Sequence, residues 1–347
     1  MTEILKTNPF VRIDGDFNLV NVVATERFDV VDLRLVPFFD YASTWRSRSD
    51  ARDRLCSLLG VPEEEGDEMI DEFTDEDMLI HPGSTYDALA EEARAWIGDG
   101  WQAELDYYLA VTDIMQDHSS SPGGQWIKRA WEGEEVPPVY KTYESAESVP
   151  LADPSSFEIV DEDWDSLFPP SADPSDDDLT RRELSALLYL TFGEIDKKAI
   201  PRVAEFLKKT SPSGGARHPT EAYVAVRDVE DVPPGLYHYS VKEHELERVS
   251  DAGVQDLAPY VPSVDDDDVK VVLLCGSMVE RNMMKYKLPR SYTVVVQDVG
   301  HLLETFRLLS TGMDHTCHPA FDVDPSIHEE LGFSYYEEPI LCGATIR

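Results

Sequence analysis

The sequence predicts an α+β fold, in which helices flank a central mixed or antiparallel sheet and a small N-terminal α/β module precedes it. Three observations predict this fold. Short apolar runs bounded by turn residues occur at both ends of the chain, helical patterns lie between them, and a segment rich in proline, serine and aspartate separates two apolar regions. The predicted boundaries are 1–116 for the N-terminal module, 117–178 for a wrapping linker and 179–347 for the main domain.

The N-terminal module begins with alternating apolar and polar residues around the turn signal Asp14-Gly15-Asp16. This alternation predicts short strands at Phe10–Ile13 and Leu19–Val23. Small strands followed by compact helices indicate a winged-helix-like, peptide-recognition-like module. The predicted helices are Asp50–Leu59, ending at Gly60, then Glu68–Phe73, Tyr86–Ile97 and Trp101–Met115.

The main domain alternates helix and strand patterns. Leu179–Phe192 predicts a helix, and Ile200–Lys208 predicts a second one. Tyr292–Leu309 predicts a segment that begins extended and becomes a long helix. This alternation is typical of a domain with one core sheet. The predicted strands are Ala222–Val226, Gly235–Tyr239, Val269–Cys275 and Ile340–Ile346.

The chain is strongly acidic, with 69 Asp and Glu against 30 Lys and Arg and a formal net charge of −39. Acidic runs recur along the whole chain, as at Asp176–Asp178 and Asp265–Asp268, and no single tail carries them. Such a surface repels nucleic acid and anionic membranes. At ordinary ionic strength, repulsion among these charges opposes the compact state, whereas molar salt shortens the Debye length to about 3 Å and screens the repulsion. We therefore interpret the composition as that of a halophilic, haloarchaeal-like protein.

The expected location is the cytoplasm. The N-terminus lacks the apolar stretch of a signal peptide, and no segment approaches the length of a membrane-spanning helix. The four cysteines have no CxxC spacing, which indicates reduced thiols in a reducing compartment.

The first candidate site is the segment from Thr210 to Tyr223, which contains a Ser-Gly-Gly turn. Two glycines let the backbone approach a flat ligand closely, and nearby hydroxyl and amide groups can bond its polar edge. A lone Ser-Gly-Gly is most often an ordinary turn before a strand, so the turn alone does not define a site. The candidate binding residues are Ser211, Pro212, Ser213, Gly214, Gly215, Ala216 and Arg217, with His218 as a further donor.

The second candidate site is the adjacent pair Lys285 and Tyr286, followed along the chain by Gln297 and Gly300-His301. A Lys-Tyr dipeptide is common on protein surfaces. A lysine buried beside a tyrosine hydroxyl, however, can act as a base and proton relay. The motifs on either side of the pair therefore decide whether it is interpreted as a surface dipeptide or as a catalytic pair.

A third segment, Thr311–His318, contains Gly312 together with His315, Cys317 and His318. Three ligands this close on one loop lack the spacing of zinc sites. We therefore expect no metal here.

Taken in order, these motifs resemble SagB-type dehydrogenases of the FMN-dependent nitroreductase family. The resemblance covers the chain from about Leu179 to its end, and Val232–Tyr239 and Arg281–Tyr286 belong to it. It implies a nitroreductase-like fold and FMN bound at a homodimer interface. The residues that it places at the cofactor are the loop Ser211–Arg217, Gln297, His301, which opens a helix beside the flavin, and Gly312.

The resemblance also implies a reaction. In azoline-oxidising members of the family, the Lys-Tyr pair is the catalytic signature, and Lys285 and Tyr286 occupy its position. The implied activity is oxidation of a thiazoline or oxazoline to an azole in a ribosomally made precursor peptide, with a cyclodehydratase as partner. A proton leaves carbon while hydride passes to the flavin.

The chain departs from the family pattern in two places. Relatives carry an arginine-rich segment for the flavin phosphate where this chain has the acidic run Phe157–Asp165, and a Gly-Leu-Gly turn of which only Gly312 is left. A phosphate without a cationic partner binds weakly. The arginines that can substitute are Arg181, Arg182, Arg202, Arg217 and Arg347.

Two other functions are compatible with these residues. One is a catalytically degenerate nitroreductase-fold subunit that scaffolds or binds peptide in a modification complex, which the acidic run at Phe157–Asp165 favours. The other is a general NAD(P)H-dependent flavin or nitro reductase. The Lys285–Tyr286 pair argues against both, because neither function requires it.

Overall fold

The structure is a computed structural model that describes residues 3–13, 18–23, 26–28, 32–112, 133, 135–156, 178–200, 204–264, 268–286 and 290–347. The acidic run Phe157–Asp165 and most of the predicted linker lie outside these residues. The chain divides into two compact units, Met1–Ser120 and Ser121–Arg347, which we describe separately.

The first unit contains two small antiparallel sheets and six helices within the described residues. In one sheet, β1 (Ile4–Thr7) lies between β5 (Arg46–Ser47) and β6 (Leu79–Ile80). The other contains β2 (Val11–Ile13), β3 (Leu19–Asn21) and β4 (Glu26–Phe28). The helices are α1 (Val36–Tyr41), α2 (Arg48–Leu59), α3 (Glu63–Asp75), α4 (Thr85–Glu92), α5 (Arg94–Gly98) and α6 (Gln102–Thr112).

Local signals explain the helix boundaries of this unit. The Ser47 hydroxyl caps α2 by accepting the Asp50 amide, and Gly60 ends it in the left-handed conformation with φ 78°. The continuous helix predicted over Tyr86–Ile97 is wrong, because the chain breaks at Ala93 into α4 and α5. A role in peptide recognition stays a prediction for this unit.

The second unit is built on a seven-stranded sheet within the described residues, with the order β14-β15-β13-β10-β11-β12-β7 and every neighbouring pair antiparallel. The predicted α+β class is confirmed, and this sheet is antiparallel rather than mixed. Its strands are β7 (Ser148–Pro150), β10 (Thr220–Val226), β11 (Gly235–Ser240), β12 (Glu245–Ser250), β13 (Val271–Ser277), β14 (Cys317–Ala320) and β15 (Ile340–Ile346). The helices are α7 (Arg181–Phe192), α8 (Val254–Leu257), α9 (Glu280–Lys285), α10 (Arg290–Gly312) and α11 (Ile327–Leu331).

Helices cover both faces of this sheet, which explains why its central strands are apolar without alternation. On one face, α7 and α10 pack through residues such as Leu187 and Phe306 against Val224. On the other, α8 and α11 pack against Leu274 and its neighbours. In the described residues, no helix is long and apolar enough to cross a membrane.

The helix predicted at Ile200–Lys208 is wrong. The segment belongs to an antiparallel hairpin of β8 (Glu194–Ile200) and β9 (Ala204–Lys209), in which Lys198 pairs with Phe206. Pro201 favours an extended conformation for the residue before it, Ile200, which is the last residue of β8. The hairpin leads directly into the Ser-Gly-Gly loop.

The extended start predicted for Tyr292–Leu309 is also wrong, because α10 is helical from Arg290 to Gly312. The β-branched run at Thr293–Val296 favours a strand locally. Burial of Val295, Val299 and Leu302 on one face at helical spacing overrides that preference. Gly300-His301 therefore lies inside the helix and does not open it.

Candidate active site

The Asp298 carboxylate on α10 binds the Ser-Gly-Gly loop. Asp298 accepts hydrogen bonds from the Ser213 hydroxyl at 2.6 Å and from the Gly214 amide at 3.0 Å. The Ser213 oxygen in turn accepts the amide of His218 at 2.9 Å. Burial raises the pKa of Asp298, although the two hydrogen bonds act in the opposite direction. Sequence analysis did not single out Asp298, although it adjoins the predicted Gln297.

The two glycines of the loop are required by close contacts. A Cβ at Gly214 would overlap Val294 of α10. Gly215 has φ 66°, and a Cβ there would lie 2.5 Å from the hydroxyl of Tyr286 and 3.0 Å from Nζ of Lys285. The absence of side chains thus lets the loop meet the Lys-Tyr pair directly.

Lys285 and Tyr286 stand at the end of α9, against this loop. The Lys285 ammonium donates to the carbonyl of Gly215 at 3.2 Å and lies 5.0 Å from the centroid of the Tyr286 ring. Both residues are half-buried. Lys285 occupies the last position of a short helix, which leaves its side chain partly exposed. The two candidate sites nevertheless form one.

Arg217 faces the protein interior and not a ligand. It is 5% exposed, its Nε donates to the carbonyl of Arg281 at 2.7 Å, and its guanidinium lies 5.3 Å from the Phe206 ring. Burial, with a contribution from Arg281, lowers its pKa. The side chain thus holds the loop to α9.

Arg281 is the centre of a buried polar network that sequence analysis did not identify. Its Nη1 lies 2.5 Å from Oε1 of Glu221, whose other oxygen lies 3.2 Å from Nε2 of His238. Nδ1 of His238 is 2.9 Å from Glu247. Burial disfavours the charge of Glu221, but Arg281 and then His238 outweigh it and lower the pKa to about 2.

A second buried cation, Lys209, lines a cavity beneath the loop. The cavity has a volume of about 10 Å³, which is room for one water molecule. Ser213, His218 and Asp298 also line it. Burial lowers the pKa of Lys209 to about 8, with Arg281 acting in the same direction, and burial together with Lys209 lowers that of His218 to about 3.

The remaining predicted residues are spread along the loop and α10. Ser211 is buried, with its hydroxyl on the carbonyl of Thr191, whereas Pro212 is exposed and Ala216 is half-buried. Gln297 and His301 are exposed on α10. Gly312 ends that helix, roughly 20 Å along its axis from Asp298. Within one chain, Gly312 is not part of the site.

The third candidate segment contains one buried imidazole. His315 is 3% exposed, and its Nε2 lies 3.6 Å from Glu183 on α7. Cys317 is buried at the start of β14, and the neighbouring His318 is exposed. Among the described residues, the chain holds no group of three or more side chains suited to a metal ion.

The chain is similar in sequence to proteins of the nitroreductase type. The chain is 33% identical, over 137 residues, to a putative nitroreductase of Methanocaldococcus jannaschii, which is 39% of this chain and 65% of that protein. It is 31% identical over 166 residues, or 46% of its length, to the trifolitoxin-processing protein TfxB of Rhizobium leguminosarum bv. trifolii. No protein-family model matches the chain.

These similarities cover only parts of the proteins. The aligned region is 44% of the length of TfxB, so the chain spans less than half of that relative. Among solved structures, a putative nitroreductase from Anabaena variabilis has 20% identity and a TM-score of 0.49, covering 65% of this chain and 46% of the other. The sequence identity supports a nitroreductase-fold relationship.

Proposed function

We propose that the chain is an FMN-dependent dehydrogenase that oxidises azoline heterocycles to azoles in a ribosomally synthesised peptide. The observation that carries the proposal is the convergence of Lys285 and Tyr286 on the backbone of Gly215. Similarity to a trifolitoxin-processing protein supports a peptide substrate. The homodimer and the cyclodehydratase partner rest on the family resemblance alone.

The proposed chemistry assigns proton handling to the Lys-Tyr pair. FMN, when bound, supplies the acceptor for the hydride and thus for both electrons. The Lys285 amine takes the proton from the azoline carbon, and the adjacent Tyr286 hydroxyl orients or relays that proton. The half-buried position of Lys285 supports this role, because the amine borders the loop and still meets solvent.

The residues near the loop fit a flavin ring on its outer side only. The cavity beneath the loop has room for about one water molecule, which is too little for a tricyclic ring. The exposed Gly215 backbone and the Lys285 and Tyr286 side chains are available on the other side. Asn282 on α9 is fully buried, and neither polar atom of its amide has a hydrogen-bond partner in the described structure. Such an orphaned amide suits a site that binds a polar-edged molecule.

The test begins with the visible spectrum of the purified protein, before and after adding FMN. We expect flavin absorption, and we expect Lys285→Ala to slow azoline oxidation by roughly 100-fold or more while flavin occupancy is unchanged. Lys242→Ala is the matched control, because Lys242 is an exposed lysine of the same unit that pairs with Glu243. Equal loss of flavin and activity in Lys285→Ala would make Lys285 a structural residue and reject its catalytic role.

The small volume of the cavity beneath the loop favours a second candidate, a nitroreductase-fold subunit that binds peptide without flavin. In that case the protein is colourless, takes up no added FMN and still binds the precursor peptide. The spectrum and a peptide titration on the same sample therefore separate the two functions.

A further inference from the structure

Helix α9, which carries Lys285, does not determine its own orientation. It has six residues, from Glu280 to Lys285, and its N-cap residue Val279 makes no side-chain cap. Isolated helices of this length are unstable in water. Contacts with the rest of the unit must therefore fix where Lys285 and Tyr286 point.

Arg281 supplies most of the polar contacts that can do so. It is 1% exposed and stands one helical turn before Lys285, on the same face of α9. Its guanidinium donates from Nη1 to the carbonyl of His218 and from Nε to the carbonyl of Pro138, both at 2.9 Å. It also forms the ion pair with Glu221 on β10. Three separate segments thus meet at one side chain.

The contact between α9 and the loop is reciprocal. Arg217 donates to the backbone carbonyl of Arg281, while Arg281 donates to the carbonyl of the next loop residue, His218. The bond from Lys285 to Gly215 lies on the same loop, two residues before Arg217. Two further hydrogen bonds therefore hold the loop to the helix, after Gly215 in the loop and one turn before Lys285 in the helix.

Two nitrogens of the Arg281 guanidinium, Nη1 and Nε, make these contacts, and Nη2 has no hydrogen-bond partner among the described residues. The planar guanidinium presents five donors in fixed directions, whereas a lysine ammonium at the same position reaches fewer acceptors at once. The carboxylate that receives it is itself fixed, because His238 bonds the other oxygen of Glu221. A fixed anion and two fixed carbonyls leave one orientation for the helix.

We propose that Arg281 is a positioning residue that holds α9 so that Lys285 and Tyr286 lie against Gly215. The inference rests on the proposed function of that pair, but its consequence is measurable without flavin or substrate. When Arg281 is removed, α9 loses its fixed orientation and the Lys285 amine spends more time away from the Gly215 carbonyl.

The experiment measures how fast acetic anhydride labels Lys285, by peptide mass spectrometry, with exposed Lys242 in the same molecule as the internal standard. The variants are Arg281→Met and Arg281→Lys, compared with Arg248→Met. Arg248 is a matched control, because it too bonds a carboxylate, Asp251, and a main-chain carbonyl, that of Pro234, at the surface. Azoline oxidation and flavin occupancy are measured on the same samples.

We expect Arg281→Met to raise the relative labelling of Lys285 severalfold and to lower kcat more than it raises KM. Arg281→Lys should restore part of both effects, and Arg248→Met should change neither. Unchanged Lys285 labelling in a folded Arg281→Met or Arg281→Lys protein overturns the inference. If Arg281→Met does not fold, Arg281→Lys decides alone. Absence of flavin from the wild type rejects the proposed function, while the labelling result still stands or falls by itself.

Discussion

Among single residues, Gly215 is the position where the candidate site tolerates least change. It combines a left-handed φ of 66° with contacts to both members of the Lys-Tyr pair. Gly215→Ala should therefore destabilise the fold by about 1 kcal/mol through backbone strain, while the Tyr286 hydroxyl and the Lys285 amine, at the far ends of flexible side chains, move aside. We expect azoline oxidation to fall by roughly tenfold or more, because the pair is displaced. Thermal unfolding and steady-state kinetics check this.

The variant Gly332→Ala separates the effect of backbone strain from the effect of contact with Tyr286. It has a similar φ of 69°, but a Cβ there meets no atom within 4 Å. Gly332→Ala should lose stability through backbone strain alone and keep full activity. Equal activity losses in the two variants would show that contact with Tyr286 is irrelevant.

The buried Lys209 predicts a pH-dependent gain in stability. Its folded pKa, about 8, lies below its ordinary value of 10.5, so the charged form opposes folding. This penalty is complete below pH 8, falls as the pH rises, and disappears above about pH 10.5, where both states become neutral. Lys209→Met should therefore stabilise the protein at pH 7, by at most about 3 kcal/mol, and the gain should vanish above about pH 10.5.

Chemical denaturation of the wild type and Lys209→Met across this pH range measures the effect. The neighbouring Lys208 is exposed and paired with Asp196, so Lys208→Met should stay within about 0.5 kcal/mol at each pH. A gain that is independent of pH would mean that the Lys209 charge is not its source, and a loss at pH 7 would mean that the charge is stabilised by its surroundings.

Among the helices and strands, the sequence predicted correctly those whose own residues contain a local structural signal. β15 was predicted to the residue, as Ile340–Ile346, because a short apolar run that follows a proline is typical of a strand buried on both faces. Gly60 marked the end of α2 for an equally local reason. The predictions for hairpin β8–β9 and for the start of α10 were wrong, because tertiary strand pairing and burial outweighed the local sequence patterns.

The same distinction applies to the site. The loop glycines and the Lys-Tyr pair were identified from the sequence, because both are contiguous motifs. Asp298, Lys209 and Arg281 were missed, because each acts through a partner far away in the chain. Asp298, for example, is 85 residues from Ser213. One sequence does not state which buried charges meet.

Helix α10 gives a prediction for an element. Gly300 lies in its interior with φ in the ordinary range, and a Cβ there meets no atom within 4 Å. Gly300→Ala should stabilise the chain by about 0.5–1 kcal/mol, because alanine costs less backbone entropy in a helix. Thermal unfolding measures this, and the exposed helical Gly98 supplies a control of the same kind. Destabilisation by Gly300→Ala, with a gain at Gly98, would mean that another surface occupies the space at Gly300.

Across the whole molecule, acidic residues exceed the cations that can neutralise them. Arg48 lies within ion-pair distance of three carboxylates, Glu3, Asp67 and Asp71, and Arg52 also contacts three. Since 69 acidic residues face 30 basic ones, most of the negative charge is left to solvent and dissolved ions. Mutual repulsion then opposes the compact state.

The stability of the fold should therefore rise steeply with salt. Screening of exposed charges at about 10 Å in 0.1 M salt shortens to about 3 Å at 1 M, so repulsion between neighbouring acidic side chains weakens. We expect the unfolding temperature to increase between 0.1 M and 2 M KCl, and to increase less in sucrose of equal osmolality, which stabilises by exclusion without screening. Equal increases in KCl and sucrose would show that charge repulsion does not limit stability, and the interpretation of the acidic surface as an adaptation to salt would be withdrawn.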